Sequence, residues 1–345
     1  MSGSDDRNMR SDMGGVDAAL RDQFDWYPVA KKEFKDAIRS RGFLVLSVLF
    51  TVFFMLPPAS VVFGFFDFGP SGQDIGMQFL ISSVYLNMVT LLVPVVALFV
   101  GYAAITKERT SGSLKLLLSL PFSRRDVLVG KVVGRCVVAG VTLAFALALT
   151  ALFFVASELT FKGDLFGLFV LYTLAFTVVF VAIVVSISGA FSTSFRSAIA
   201  SFFVYFYFTF GWNSLANSIG DLLSQYLGVS GTLRWNVVLF VKLINPNQAY
   251  KTLTNSMLTE GSNAMRSSRY RMFSQNSTQM QEICTGVLNG NATVQRGLFG
   301  NTTVCGDTVR SIPFYFSDPA VFVYMVAWIG VAAALAYYTF NVVDL

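Results

Sequence analysis

The chain has 345 residues, 54% of them hydrophobic and 13% charged, with a mean hydropathy of +0.61, against roughly 45–50% apolar and about 25% charged in a soluble domain. This is the composition of an integral membrane protein. The net charge of +5 does not read as a nucleic-acid footprint, because Lys and Arg lie beside apolar runs, and the absence of histidine removes imidazole catalysis and imidazole metal ligation.

Residues 1–42 are polar, and too long and too mixed in charge for the n-region of a cleaved signal peptide, so they read as a cytoplasmic tail. Its last part, "PVAKKEFKDAIRSRGF", places Val29, Phe34, Ala37, Ile38 and Leu44 near one helical stripe with basic residues elsewhere. That pattern predicts an amphipathic helix lying on an anionic membrane surface, a plain solvated helix being the alternative.

Six segments have the length and apolarity of a membrane-crossing helix: Phe43 to Phe66, Phe79 to Ile105, Val132 to Ala156, Leu165 to Ser188, Ala198 to Ile219 and Ala320 to Phe340. Pro57, Pro58 and Pro94 fall inside the first two, where freed carbonyls need partners from neighbouring helices. The fifth carries "FFVYFYFTFGW", aromatic on all sides of the helix. It predicts either a wall for an amphipathic substrate or, more simply, lipid-facing and dimer-packing surface. Lys and Arg concentrate in the tail, in the 107–131 loop and at Arg196, while the first outer loop has none and the second has only Lys162. Both termini are therefore expected in the cytoplasm. The expected fold is all-α and polytopic, with residues 43–219 holding helices 1–5, 220–318 a large extracytoplasmic loop, and 319–345 helix 6 with a short cytoplasmic end.

The outer loop begins with "TLRWNVVLFVKLINPNQAY", where Leu233, Val237, Phe240, Val241 and Ile244 recur at helical spacing. A short helix on the outer membrane surface, with Trp235 at the interface, is expected, and a re-entrant hairpin is the alternative. Asn276, Asn291 and Asn301 begin N-x-[ST] tripeptides and are candidate glycosylation sites. Cys284 and Cys305 lie in the same loop, in a compartment where disulfides persist, and are expected to pair, at a gain of roughly 3 kcal/mol in the chain-entropy model. Cys136, inside the third span, reads as a small packing residue.

Between the second and third spans lies "KERTSGSLKLLLSLPFSRRDVLVGK". Leu114, Leu117 and Leu118 give it a helical apolar face, Pro121 ends that helix, and Ser123 with Asp126 three residues on can cap the next. Lys131 and Arg135 follow on the entering turns of the third span, where their stems can snorkel.

This segment resembles that of type-2, exporter-class ABC transporter permeases. The family's pattern of Glu, Gly-Ser/Thr-Leu, a leucine pair, Pro, a basic residue, an acid and Gly-Lys is met by Glu108, Gly112-Ser113-Leu114, Leu117-Leu118, Pro121, Arg124, Asp126 and Gly130-Lys131. "KKEFKDAIRSRGF", "NPNQAY" and the terminal "VVDL" add to the likeness. The resemblance implies a permease subunit in the cell membrane that pairs with a second permease copy or homologue and with cytoplasmic P-loop ATPase subunits. ATP and Mg would sit on those partners, and no cofactor or metal on this chain. It also implies that 107–131 is the coupling segment, with Glu108, Arg109, Arg124 and Arg125 pairing around a groove of the ATPase and Gly112 at the point of approach. The chain has no P-loop of its own, since Gly130-Lys131 is followed by Val132. A membrane enzyme would need a nucleophile, base or metal constellation, which the sequence does not show. The remaining alternative is a non-transporting membrane scaffold of an assembly or maturation complex.

Overall fold

The computed structural model describes residues 17–65, 73–112, 123–157, 159–229, 231–258, 273, 277–297, 300–305 and 313–342. In chain order the elements are α1 (Tyr27–Ile38), α2 (Arg41–Val62), α3 (Gln73–Phe79), a π-helical segment (Leu80–Tyr85), α4 (Leu86–Gly101), α5 (Thr106–Thr110), α6 (Arg124–Ala156), α7 (Gly163–Ala190) and α8 (Ser194–Phe206). A second π segment (Tyr207–Gly211), α9 (Trp212–Tyr226), α10 (Thr232–Ile244), α11 (Pro246–Ser256), α12 (Ser277–Glu282), a third π segment (Ile283–Val287), β1 (Ala292–Gly297), β2 (Gly300–Cys305), a 3-10 turn (Phe314–Phe316) and α13 (Asp318–Val342) follow.

Among the described residues five helices are long and apolar enough to cross a membrane: Arg41–Val62, Gly76–Thr110, Arg124–Ala156, Gly163–Ala190 and Asp318–Thr339. The sixth expected span, Ala198 to Ile219, is helical throughout but does not join them. It is divided between α8, a π segment and α9, and Tyr205, Tyr207, Thr209 and Asn213 dilute its hydropathy.

α7 is the central helix, the most buried of the five, with α4, α6, α8 and α13 packed around it. Its partners meet in an aromatic core. Tyr85 is fully buried, its ring centroid 5.8 Å from Phe54, 6.1 Å from Phe154 and 5.7 Å from Phe169. This core also resolves the proline problem of α2. Pro58 has no N–H for the carbonyl of Phe54 one turn back, and Tyr85 Oη and Thr150 Oγ1 donate to that oxygen at 2.7 and 3.2 Å.

The expected helix over 233–244 forms as α10, with one side packed on the bundle. Its buried side carries Trp235, Val238, Leu239 and Leu243, whereas Leu233 and Phe240 are exposed. The Trp235 indole donates to Glu282 at 2.5 Å and so faces α12. At the other end of α10, Trp212 and Trp328 donate to the carbonyls of Val241 and Ile244, both at 2.8 Å, taking up acceptors that a helix end leaves open. Asn245 caps α11 by accepting from Asn247 N at 2.8 Å, and its amide donates to Phe208 O at 2.7 Å. Trp328 lies ten residues into α13, about 15 Å along its axis from Asp318. The α10–α11 turn therefore packs against the bundle beside the middle of α13. α11, polar in sequence, is buried along most of its length, and Tyr250 stacks on Phe176 with centroids 4.7 Å apart.

Beyond the hairpin, β1 and β2 pair antiparallel from Ala292↔Cys305 to Gly297↔Gly300. Cys284 and Cys305 are joined by a disulfide that ties this ribbon to the third π segment. Asn291 precedes β1 and Asn301 opposes Arg296. Asn276 lies outside the described residues.

Candidate coupling site

At the basic end of the bundle, α1 lies along the first half of α6. Two glycines permit the approach. A Cβ on Gly130 would stand 2.7 Å from Trp26 O and from Val29 Cβ, and one on Gly134 would stand 2.7 Å from Glu33 Cβ. Val29, Ala30 and Ala37 are buried here, while Ile38 and Leu44 are exposed. The expected amphipathic helix forms, and its apolar face packs on α6.

That close approach brings an acid onto two bases. Glu33 Oε1 is 2.6 Å from Lys131 Nζ and its Oε2 is 2.7 Å from Arg135 Nη2. Lys131 also lies 2.8 Å from Glu108 Oε2, and Lys32 stands 3.8 Å from Glu108 Oε1. Lys131 is 0% exposed, so it does not snorkel as its position suggested. It is held inside by two carboxylates, as a buried ammonium must be. Burial would raise the Glu33 carboxyl, but Lys131 and Arg135 outweigh it and hold it below the usual range.

Glu108 belongs to α5, the short helix that leads into the 107–131 segment. The bundle fixes this helix from the other side too. Ser188 Oγ accepts from the backbone N–H groups of Ile105 and Thr106 at 3.1 and 3.3 Å, Thr106 Oγ1 lies 2.9 Å from Ser194 Oγ, and Ser197 donates to Tyr102 O at 2.7 Å. α5 ends at Gly112, whose φ of +74° suits glycine at a helix C-terminus and leaves open space around it. The chain re-enters α6 through the expected capping box, Ser123 Oγ accepting from Asp126 N at 3.1 Å and Asp126 accepting from Ser123 N at 3.1 Å.

The sequence-derived site residues thus divide. Glu108 turns inward to Lys131, where an outward role on a partner was expected. Arg124 and Arg125 are exposed on the first turn of α6, Arg109 is half-buried on α5, and Asp126 is spent on the cap. Leu114, Leu117, Leu118 and Pro121 lie outside the described residues. Sequence reasoning missed Glu33. Its signal was an acid set in the basic run "KKEFK", and the Gly130/Gly134 spacing of small residues that admit a close helix.

The aromatic helix divides as well. Phe202, Phe206 and Phe210 face outwards, while Phe203, Tyr207, Phe208 and Trp212 line an apolar cavity of about 570 Å³ shared with α7 and with Trp328 of α13.

A bundle of long apolar helices with a charge-locked basic end is a multi-pass membrane protein. The chain matches the family described as "ABC-2 family transporter protein" over residues 27–345, and it belongs to that family. It is similar to the probable ABC transporter permease protein NosY of Pseudomonas aeruginosa, with 34% identity over 122 residues covering 35% of this chain and 40% of the relative. It is equally similar to the protein of that name from Stutzerimonas stutzeri, 34% identical over 120 residues, 34% of this chain and 40% of the relative. The matched stretch spans about 40% of the length of these curated relatives.

Proposed function

We propose that this chain is the membrane subunit of an ATP-driven transporter, moved by separate P-loop ATPase subunits that dock on the 107–131 segment. The observation that carries the reading is the double anchoring of α5. Through Glu108 and Lys131 it is tied to α6 and α1, and through Ser188, Ser194 and Ser197 to the α7–α8 corner. A push on the segment between Gly112 and Ser123 reaches four helices at once. The chain has no P-loop, so that push must come from another subunit.

In this reading the helical run Ser194–Tyr226 is the sixth span, buttressed by the α10–α11 hairpin in place of uniform hydropathy. Both termini and the basic end face the cytoplasm, and the disulfide lobe with Asn276, Asn291 and Asn301 faces outwards, where glycosylation machinery can reach it. Export is the direction implied by the family. A second permease copy or homologue completes the pathway.

The test is co-purification and coupled turnover. A stoichiometric ATPase should copurify with the full chain, and its turnover should depend on the segment. Gly112→Trp, or Leu114→Asp with Leu117→Asp, should abolish stimulation while membrane insertion persists. Unaltered ATP-driven transport in these variants would overturn the assignment. Intact cellular function without any ATPase partner would favour the membrane scaffold.

A further inference from the structure

A second cavity, of about 630 Å³, opens at the basic end between α2 and α4, with α6 as its floor. Its mouth carries Arg41 and Arg135 beside Ser40, and its apolar walls are Leu46, Phe99 and the fully buried Val138. The surface around it is the apolar surface that a bilayer covers: Val45, Leu49 and Phe99 are more than half exposed. The slot is therefore continuous with lipid along one side and cationic at one end. From Ser40 to Leu49 it runs along nine residues of helix, about 14 Å.

The cationic end is only partly neutralised among the described residues. Among the described residues no carboxylate lines the cavity. Arg135 gives Nη2 to Glu33, and its side chain, a quarter exposed, lines the mouth of the cavity. A guanidinium held in place at the mouth of an apolar slot fits an oxyanion, and Arg prefers phosphate. Arg41, exposed on the first turn of α2, supplies the second charge.

We propose that this cavity is a binding site for an anionic glycerophospholipid, its phosphate between Arg41 and Arg135 and one acyl chain in the slot walled by Leu46, Phe99 and Val138. The Lys/Arg asymmetry of the loops assigns this end to the cytoplasmic leaflet, where the anionic lipid would reside. Because Arg135 also holds Glu33, the lipid and the α1–α6 clamp share one guanidinium.

Native mass spectrometry of the full-length chain in detergent, titrated with phosphatidylglycerol or with phosphatidylcholine, tests this. Phosphatidylglycerol should be retained preferentially, and Arg41→Gln, which leaves the clamp intact, should weaken its retention about fivefold, the value of one basic residue facing an anionic lipid. Leu46→Trp, which fills the slot, should weaken it further. Equal retention of the two lipids, or of phosphatidylglycerol by wild type and Arg41→Gln, would overturn the proposal. Displacement of the lipid by millimolar inorganic phosphate would assign the arginines to a free anion and overturn it too. Loss of the lipid whenever the chain runs as a dimer would give the groove to a second copy, with the same consequence.

Discussion

Lys131 Nζ lies 2.6 Å from Glu33 Oε1, and both side chains are buried. The pair joins residues 98 apart in sequence and fixes α1 against α6 beneath the segment proposed to receive the ATPase. Removing one member of a buried pair leaves the other charge uncompensated, at about 3–5 kcal/mol. Lys131→Met should therefore lower the thermal midpoint strongly, because it removes the buried ammonium that Glu33 and Glu108 share. Glu33→Gln should cost less, since Glu108 still faces Lys131. In a double-mutant cycle the combined variant should be more stable than the sum of the two losses, a coupling of about 0.5–3 kcal/mol. Strict additivity by thermal unfolding in detergent would show that the pair contributes nothing specific.

The depressed Glu33 carboxyl makes a pH prediction with a definite sign. A carboxylate held below its ordinary range stabilises the fold above its unfolded value of 4.5, and that stability is lost as pH falls through the lower, folded value. Wild type should lose thermal stability on acidification below about pH 4.5 more steeply than Glu33→Gln, which has no proton to take up there. Parallel acid-side slopes for the two proteins would remove Glu33 from the account.

How much of this was legible in the sequence depends on the range of the interaction. The Ser123–Asp126 capping box is local, so a short motif predicted it. Pro58 announced that the Phe54 carbonyl would need a donor, but not that Tyr85 would supply it, because nothing in a one-dimensional pattern specifies a partner 31 residues away. The α10–α11 hairpin misled for a related reason. α11 is polar enough to suggest exposure, yet it is buried, since Asn245 spends its amide on Phe208 O and Asn247 donates to Thr209 Oγ1 at 3.2 Å. Lys131 misled likewise: helix position alone allows snorkelling, and only the glycine-permitted approach of α1 supplies carboxylates that make burial the better state.

The glycines themselves are testable. Gly130→Val places branched carbon where Trp26 O and Val29 already stand, so α1 must lift from α6. Overpacking of this kind costs about 1–3 kcal/mol, and here it also lengthens the Glu33–Lys131 contact. Gly140 lies on the same helix with open space around its Cβ position. Gly140→Ala should be neutral or slightly stabilising, by up to about 1 kcal/mol, from helix propensity. Equal thermal midpoints for Gly130→Val and Gly140→Ala would contradict the close packing of α1.

The last prediction concerns the Phe54 carbonyl. Tyr85 is its principal donor, because the single proton of Thr150 is shared with Ala146 O at 2.9 Å. Tyr85→Phe removes that donor without changing ring packing and should cost about 1–3 kcal/mol, the penalty of an unsatisfied buried acceptor. Thr150→Val should cost less, since Tyr85 remains. Pro58→Ala supplies a backbone N–H four residues along, able to bond the same oxygen within the helix. In a Pro58→Ala background the cost of Tyr85→Phe should therefore shrink to a fraction of its value, even if Pro58→Ala alone alters the bend of α2. Thermal unfolding of the four proteins in detergent decides it. An undiminished Tyr85→Phe penalty in the alanine background would mean that Tyr85 stabilises this core through its ring contacts with Phe154 and Phe169, and not through the orphaned carbonyl.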